Sequence, residues 1–588
     1  MKMTLSAFRT FGWLLCSWGV VAAATADDAA LDRFFREHLE TEFRLRPTLA
    51  TELGDHRFDD QLDDVSAAAR ARWSEATKAA LEALPRRVEF SSLSSAGQMD
   101  YRILEHHLRY SIWMQEHFDP YVTDPRSYSG LLSGAVFGLL TQSTLPPEAN
   151  VANSIARIRQ MSKVIAAARE NLRHPPLVHL ETAIQQNRGA IHFFENELLV
   201  LAGRTKQRAA LQAAAEEMLP DLRAYQEFLE NELRSRANGE WRIGRELFYR
   251  KFELETDAGI TAKGNYADAL AEFDRVRNEM YVIARQVWSW YFPGAPLPPD
   301  DAEGRRMTIE RVLLRIAQEH GKPARLTRDV RATVAEIKRF IARAGILTLP
   351  DPDRCRVIEM PEFQRGNSIA YMASPPPLDP EATGHYAISP PPASWDAAKV
   401  KSFLEEYNRH MLQILTIHEA YPGHYVQMEY ANRSPSLIRK ILGSGVYIEG
   451  WAVYTEQMML DQGYGDGDPA LRLSQLKFYL RAVANTILDY RMHCEQMTDD
   501  EAMDLMVNQS FQSEGEARLK VIRAKQSSVQ LSTYFTGRMA HYQLRQEIQR
   551  ELGDRFNLGR YHEAVLAQGA VPMKNLPELV RAELTLGR

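Results

Sequence analysis

Thr416-Ile417-His418-Glu419-Ala420-Tyr421-Pro422-Gly423-His424 is the stretch around which the rest of this chain arranges itself. The residues before it repeat their apolar positions at helical spacing, so the segment reads as the late part of a helix starting near Asp396. Two histidines and a glutamate in this order, H-E-x-x-x-x-H, are the residue types a zinc ion takes. Neutral imidazoles and a carboxylate bind the metal, one position stays open for water, and a glutamate next to a ligand can accept the proton of that water. His418 and His424 are therefore candidate ligands and Glu419 a candidate general base. In an unbroken helix a residue six positions on lies about 120° around the axis, so the two imidazoles would not meet. Pro422 cannot donate to the helical ladder and Gly423 accepts unusual dihedrals, so the helix is expected to bulge or reset there and bring His424 back toward His418.

Downstream, Tyr447-Ile448-Glu449-Gly450-Trp451-Ala452-Val453-Tyr454-Thr455-Glu456 reads as a second helix with Glu449, Val453 and Glu456 on one stripe. Glu449 is the candidate third ligand. Glu456, two turns on, faces the same side as a support for a ligand or a substrate contact. On a later helix Asp489 and His493 stand four apart on one face, a pair able to orient a ligand or bind substrate. Upstream, the texture between Val357 and Trp395 is that of strands: Val357–Met360, Gly366–Tyr371 and His385–Ile388, with triple prolines at 375–377 and 390–392, predict a small antiparallel sheet with open edges. From Leu31 to about Gly345 the three- and four-residue period dominates, as in Ile158, Met161, Ile165, Ala168 and Leu172. Long helices are predicted near 206–236, kinked or divided at Pro220, at 265–291, and at 327–343 stopped by Gly345. Thr498-Asp499-Asp500-Glu501 is a capping box.

The composition fits a large folded body: 588 residues, 45% hydrophobic and 25% charged. A formal charge of −6, with no basic run, argues against nucleic acid as a partner. Residues 1–26 read as a secretory signal peptide, with Lys2 and Arg9 before an apolar run and Ala24-Thr25-Ala26 before Asp27. Leu15 before Cys16 argues against lipidation at that cysteine. The exported chain, 27–588, is expected to be one mostly helical domain, with 27–345 as a helical wall and 346–588 as the sheet and metal-site half. Export leaves Cys355 and Cys494, and the sequence leaves open whether they pair or stay thiols. A periplasmic location is preferred over full secretion, with no stable membrane association after signal cleavage. The oligomeric state is not legible. There is no G-x-S-x-G elbow, C-x-x-C, P-loop or G-x-G-x-x-G after a strand.

His-Glu-x-x-Pro-Gly-His and Glu-Gly-Trp-Ala-x-Tyr-x-Glu, both present here, resemble the hallmarks of the bacterial domain-of-unknown-function family numbered 885. Arg365-Gly366-Asn367-Ser368, Asp489, His493, Gln530, Tyr534 and Gly537 extend the resemblance, with one departure: Ser528-Val529-Gln530 stands where relatives often carry Pro-Gly-Gln. That family in turn resembles zinc peptidases with two His and one Glu ligand, such as thimet oligopeptidase and angiotensin-converting enzyme, which have H-E-x-x-H. The resemblance implies a mostly α, two-lobed helical body around a deep channel, with a small sheet beside the active-site helix. It implies Tyr534 as the donor to the developing oxyanion, with His493 in reserve. It also implies that the strand around Ser368 to Tyr371 pairs with substrate backbone, while Arg365 meets a carboxylate.

The expectation is an exported Zn2+-dependent metallopeptidase hydrolysing short peptides through a metal-activated water. A zinc amidase or esterase acting on a non-peptide substrate, and a catalytically silent peptide-binding protein, are the alternatives. The sequence does not distinguish endo- from exopeptidase action or give side-chain preference.

Overall fold

The computed structural model describes residues 26–360, 370–392 and 395–586. Residues 1–25, all within the expected signal peptide, and Arg365 and Ser368 lie outside them. The fold is mostly α with one small sheet, as expected. Helix Ala262–Tyr291 starts at Thr261, whose hydroxyl accepts the Gly264 N–H. Helix Leu326–Ala344 ends where Gly345 adopts φ 61°. The apolar face read at 158–172 is buried throughout, although it spans two helices, Pro147–Ile158 and Met161–Asn171.

Pro220 neither divides nor ends its helix, which runs from Arg208 to Glu227 and continues as a wider turn over Phe228–Leu233. Both Pro220 and Glu216 lie on the exposed face, so the carbonyl that loses its partner can be hydrated.

Residues from Leu62 to Leu233 close a core of their own. A second core joins the first helices, between Leu31 and Leu108, to the sheet and to the metal-motif helices. A third packs Ala262–Tyr291 and Ala302–Ala317 against the long helix Pro469–Cys494. The helical region before 345 thus contributes to all three.

The sheet consists of β1 (Cys355–Glu359), β2 (Ala370–Ala373) and β3 (Gly384–Ile388), in the order β1-β3-β2. The antiparallel expectation holds only for β2 and β3, with Ala370 opposite Ile388. β1 and β3 are parallel, with Cys355 opposite Gly384. The centre is taken by β3, the most buried strand. β2 is left at the edge.

Six helices carry the site: α1 (Arg409–Glu419), α2 (His424–Asn432), α3 (Gly445–Asp461), α4 (Pro469–Cys494), α5 (Glu514–Gln526) and α6 (Thr533–Leu552). The helix expected from Asp396 is two helices. Asp396 caps Ala397–Glu406, and Asn408 caps α1 by accepting from the His410 and Met411 N–H groups. α3 and α6 cross at two glycines. A Cβ on Gly537 would sit 1.9 Å from the Val446 carbonyl oxygen, and one on Gly450 would sit 2.3 Å from Gly537 Cα. Only glycine at both positions allows this approach.

Candidate metal centre

α1 stops at Glu419, and a new helix begins at His424. Between them the backbone folds back on itself, with the Tyr421 N–H donating to the Thr416 carbonyl and the Gly423 N–H to the Ile417 carbonyl. A Cβ at Gly423 would lie 1.9 Å from the His418 carbonyl oxygen, so the reset requires glycine. The Trp451 indole N–H, from α3, donates to the Pro422 carbonyl at 2.8 Å and pins the reset to the helix that carries Glu449. The sequence admitted a bulge or a reset; the chain resets, and the two imidazoles meet nearly edge to face with ring centroids 4.8 Å apart.

His418, His424 and Glu449 bring one ligand atom each to within 4.8 Å of one another. Glu449 Oε2 lies 3.4 Å from His424 Nε2 and 3.9 Å from His418 Nε2, and it is buried without a hydrogen-bond partner among the described residues. Ligands about 2.0–2.2 Å from a tetrahedral zinc stand roughly 3.3 Å apart; the donor set fits that ion and the 3.4 Å between Glu449 and His424 matches it, while the wider separations from His418 have to close as the ion is taken up.

His418 Nδ1 lies 2.7 Å from Glu456 Oε1. With Nε2 turned to the ligand cluster, Nδ1 carries the hydrogen and donates to the carboxylate, fixing the ring. Burial, helped by the neighbouring His424, holds His418 at a pKa of about 3, so it is a neutral imidazole. Burial acts the same way on His424, but the Glu449 carboxylate outweighs it and the net shift is upward. For Glu449 burial is outweighed by His424, so the group stays ionised. Glu456, wholly buried, is pushed far above the usual carboxylate range.

Glu419 is raised to about 7 by burial, while a hydrogen bond from the Met372 N–H of β2 works in the opposite direction. The three expected ligands, Glu419, Glu456, Tyr371 and Tyr534 all line one cavity of about 1800 Å³. One side is built by helices between Arg126 and Arg234, the other by the sheet and α1 to α6. Tyr534, at the start of α6, accepts from Arg523 at 3.2 Å and from the Gln530 amide at 3.4 Å. Burial, with the Glu449 charge nearby, raises its hydroxyl to about 12, so it remains a donor at neutral pH.

His493 and Asp489 are placed elsewhere. Neither lines the cavity. His493 Nε2 donates to the Ala524 and Ser527 carbonyls, and Nδ1 accepts from the Ile243 N–H, so both ring nitrogens are spent on backbone. Asp489 accepts from the Val529 N–H and the Ser532 hydroxyl. The pair holds the end of α5 and the turn that leads into Tyr534, and touches no candidate ligand. Val529 sits in that turn at φ 70°, a conformation that favours glycine. Among the described residues Cys355 and Cys494 are free thiols, not joined in a disulfide.

Sequence reading missed Arg481, Glu516, Lys520 and Arg523, all on the cavity wall. The signal was present as Glu516, Lys520 and Arg523 at four- and three-residue spacing, but a charged stripe of this kind also marks a solvated helix face.

A mostly helical protein with a His/His/Glu cluster at the base of a large cavity is the class that fold and site define. The chain belongs to a family described as bacterial protein of unknown function (DUF885), whose model matches residues 47–580. Two solved structures are similar to it. One is "a putative lipoprotein of unknown function from Shewanella oneidensis", 33% identical with a TM-score of 0.78, covering 94% of this chain and 99% of that one. The other is "the putative lipoprotein from Colwellia psychrerythraea", 18% identical with a TM-score of 0.78, covering 95% and 99%, and it shares the fold. No curated protein matches the sequence. Among the described residues no helix is long and apolar enough to cross a membrane.

Proposed function

We propose that this protein is an exported zinc-dependent metallopeptidase that hydrolyses short peptides, with His418, His424 and Glu449 as the metal ligands. The observation that carries the reading is Glu449 Oε2, buried without a hydrogen-bond partner among the described residues, converging with two imidazole nitrogens beside Glu419, a half-buried glutamate outside that trio on the same cavity wall. Zinc would supply Lewis acidity to the attacking water and to the scissile carbonyl. Glu419 takes the water's proton and passes it to the leaving amine. The Tyr534 hydroxyl donates to the developing oxyanion; its acceptor side is taken by Arg523, which turns the hydrogen away from that guanidinium. β2 is an edge strand of the sheet on the cavity wall, suited to aligning an extended peptide backbone. The apolar leader and the lipoprotein descriptions of the similar structures support export.

The test is zinc content and peptide turnover of the exported chain beside two variants. About one zinc per chain is expected, lost in His418→Ala, while Glu419→Gln keeps the metal and loses about 10²- to 10⁴-fold in turnover. A folded protein that takes up no zinc, or a Glu419→Gln variant with unchanged turnover, would sink the mechanism.

A further inference from the structure

The wall formed by α5 carries more positive charge than it needs. Glu516 accepts from the Tyr407 hydroxyl at 3.0 Å and meets two cations, Arg481 at 2.7 Å and Lys520 at 3.3 Å. One carboxylate thus faces two positive groups. One turn further along α5, Arg523 reaches the Tyr534 hydroxyl, and among the described residues no carboxylate lies within ion-pair distance of it. Of the other acids on this side, Glu406 is matched by Lys477 at 2.8 Å and Glu514 by Arg518, while Glu449, whose charge Arg523 also feels, belongs to the proposed ligand cluster. Outside that cluster, Arg481, Lys520 and Arg523 face the cavity with one carboxylate, Glu516, among them. They stand beside the metal cluster, because Arg481 lies over the Phe478 ring at 4.5 Å and Phe478 packs edge-on against His418 at 5.6 Å.

A cation on a cavity wall with no carboxylate at ion-pair distance favours an anionic ligand, and a guanidinium with a free edge matches a carboxylate. Position narrows the choice. Arg523 touches the hydroxyl assigned to the scissile carbonyl, and a peptide's terminal carboxylate lies about 4–7 Å from a carbonyl one or two residues before it, given 3.8 Å between successive Cα atoms. An acidic side chain could be presented at many places along a peptide, whereas the terminus has one position relative to the cut.

We propose that Arg523 and Lys520 form a subsite for the C-terminal carboxylate of a peptide, so that one or two residues are removed from the C-terminal end. The peptidase reading above underlies the cleavage half of this assignment; the carboxylate subsite stands on the charge balance alone.

The experiment has two arms. In the first, the zinc-loaded protein is given acetyl-Ala-Ala-Ala-Phe as the free acid and as the C-terminal amide. The acid is expected to be cut near its C-terminus with a kcat/KM about 10- to 100-fold higher than the amide, and R523Q to remove that preference chiefly through KM. Equal cleavage of acid and amide, or cleavage at a fixed distance from the N-terminus, overturns the proposal. In the second arm, E419Q is titrated calorimetrically with the same two peptides. Preferential binding of the acid, weakened in E419Q/R523Q and partly kept in E419Q/R523K, supports the subsite even if the first arm shows no turnover, in which case the peptidase reading fails by itself. Equal binding of acid and amide removes the subsite. Arg523 is exposed, so these replacements are not expected to unfold the chain.

Discussion

Glu419 and Glu456 flank the same imidazole and do different work. Both stand on the cavity wall, but Glu419 is half-buried next to the proposed ligands, whereas Glu456 is buried and spent on His418 Nδ1. Removing the second should therefore change affinity for the metal before it changes chemistry. Glu456→Gln is expected to weaken zinc binding by about 10- to 100-fold, measured by competition with a chromogenic chelator, while turnover at saturating zinc falls much less. An unchanged affinity would mean that the ring is held by its packing against Phe478 and His424 alone. Val529 presents the opposite case, a residue in a backbone conformation it does not favour. A β-branched residue at φ 70° is costly, by about 1–3 kcal/mol, and the Asp489 carboxylate on its N–H helps to hold it. The strained turn stands five residues before Tyr534, which gives Asp489 and His493 their role in the site at one remove.

At the scale of elements, the geometry of the centre is set by two places where only glycine fits. The α3–α6 crossing brings the helix of Glu449 and the helix of Tyr534 into backbone contact through Gly450 and Gly537. Gly537→Ala is expected to separate them and to lower stability by about 1–3 kcal/mol, read as a fall in the denaturant midpoint, with a loss of turnover larger than the loss of bound zinc. Equal losses would point to general loosening of the fold. Much of this was legible in the residues. The helices announced themselves by period and caps, and the ligand trio by residue type and by the Pro-Gly break between the histidines. Glu456 was found by counting two turns from Glu449. The parallel pairing of β1 with β3 was not legible, because strand partners are chosen by what covers each strand and not by the strand's own pattern. Asp489 and His493 were assigned to the wrong neighbourhood for a related reason. A four-residue spacing shows that two side chains share a helix face, but not what that face meets. The α5 charges were passed over because pairing with Arg481 and Tyr407, from other elements, is what separates them from a solvated stripe.

For the whole molecule, buried neutral histidines set the response to acid. His493, His541 and His562 are each at most 1% exposed, and burial lowers them to about 4, 4 and 3. His562 donates from Nδ1 to the Ile346 carbonyl and takes the Tyr454 hydroxyl at Nε2, a pattern that a second proton would break. The unfolded chain takes up these protons near pH 6.5 and the folded chain does not, so stability falls as the pH drops from about 6.5 toward 4. Each group costs about 2 kcal/mol by pH 5. The melting temperature should drop steeply over that window, and His562→Gln should flatten the slope; a flat profile between pH 7 and 5 in the parent protein would contradict the neutral assignment. The reset between α1 and α2 has a consequence of a different kind. Because the proposed ligands lie on both sides of that discontinuity and on a third helix, an ion seated there closes two loops of chain at once and binds the folded form alone. If that ion is the proposed zinc, folding and metal supply become one equilibrium, and the protein's lifetime depends on the free zinc around it as much as on its own sequence.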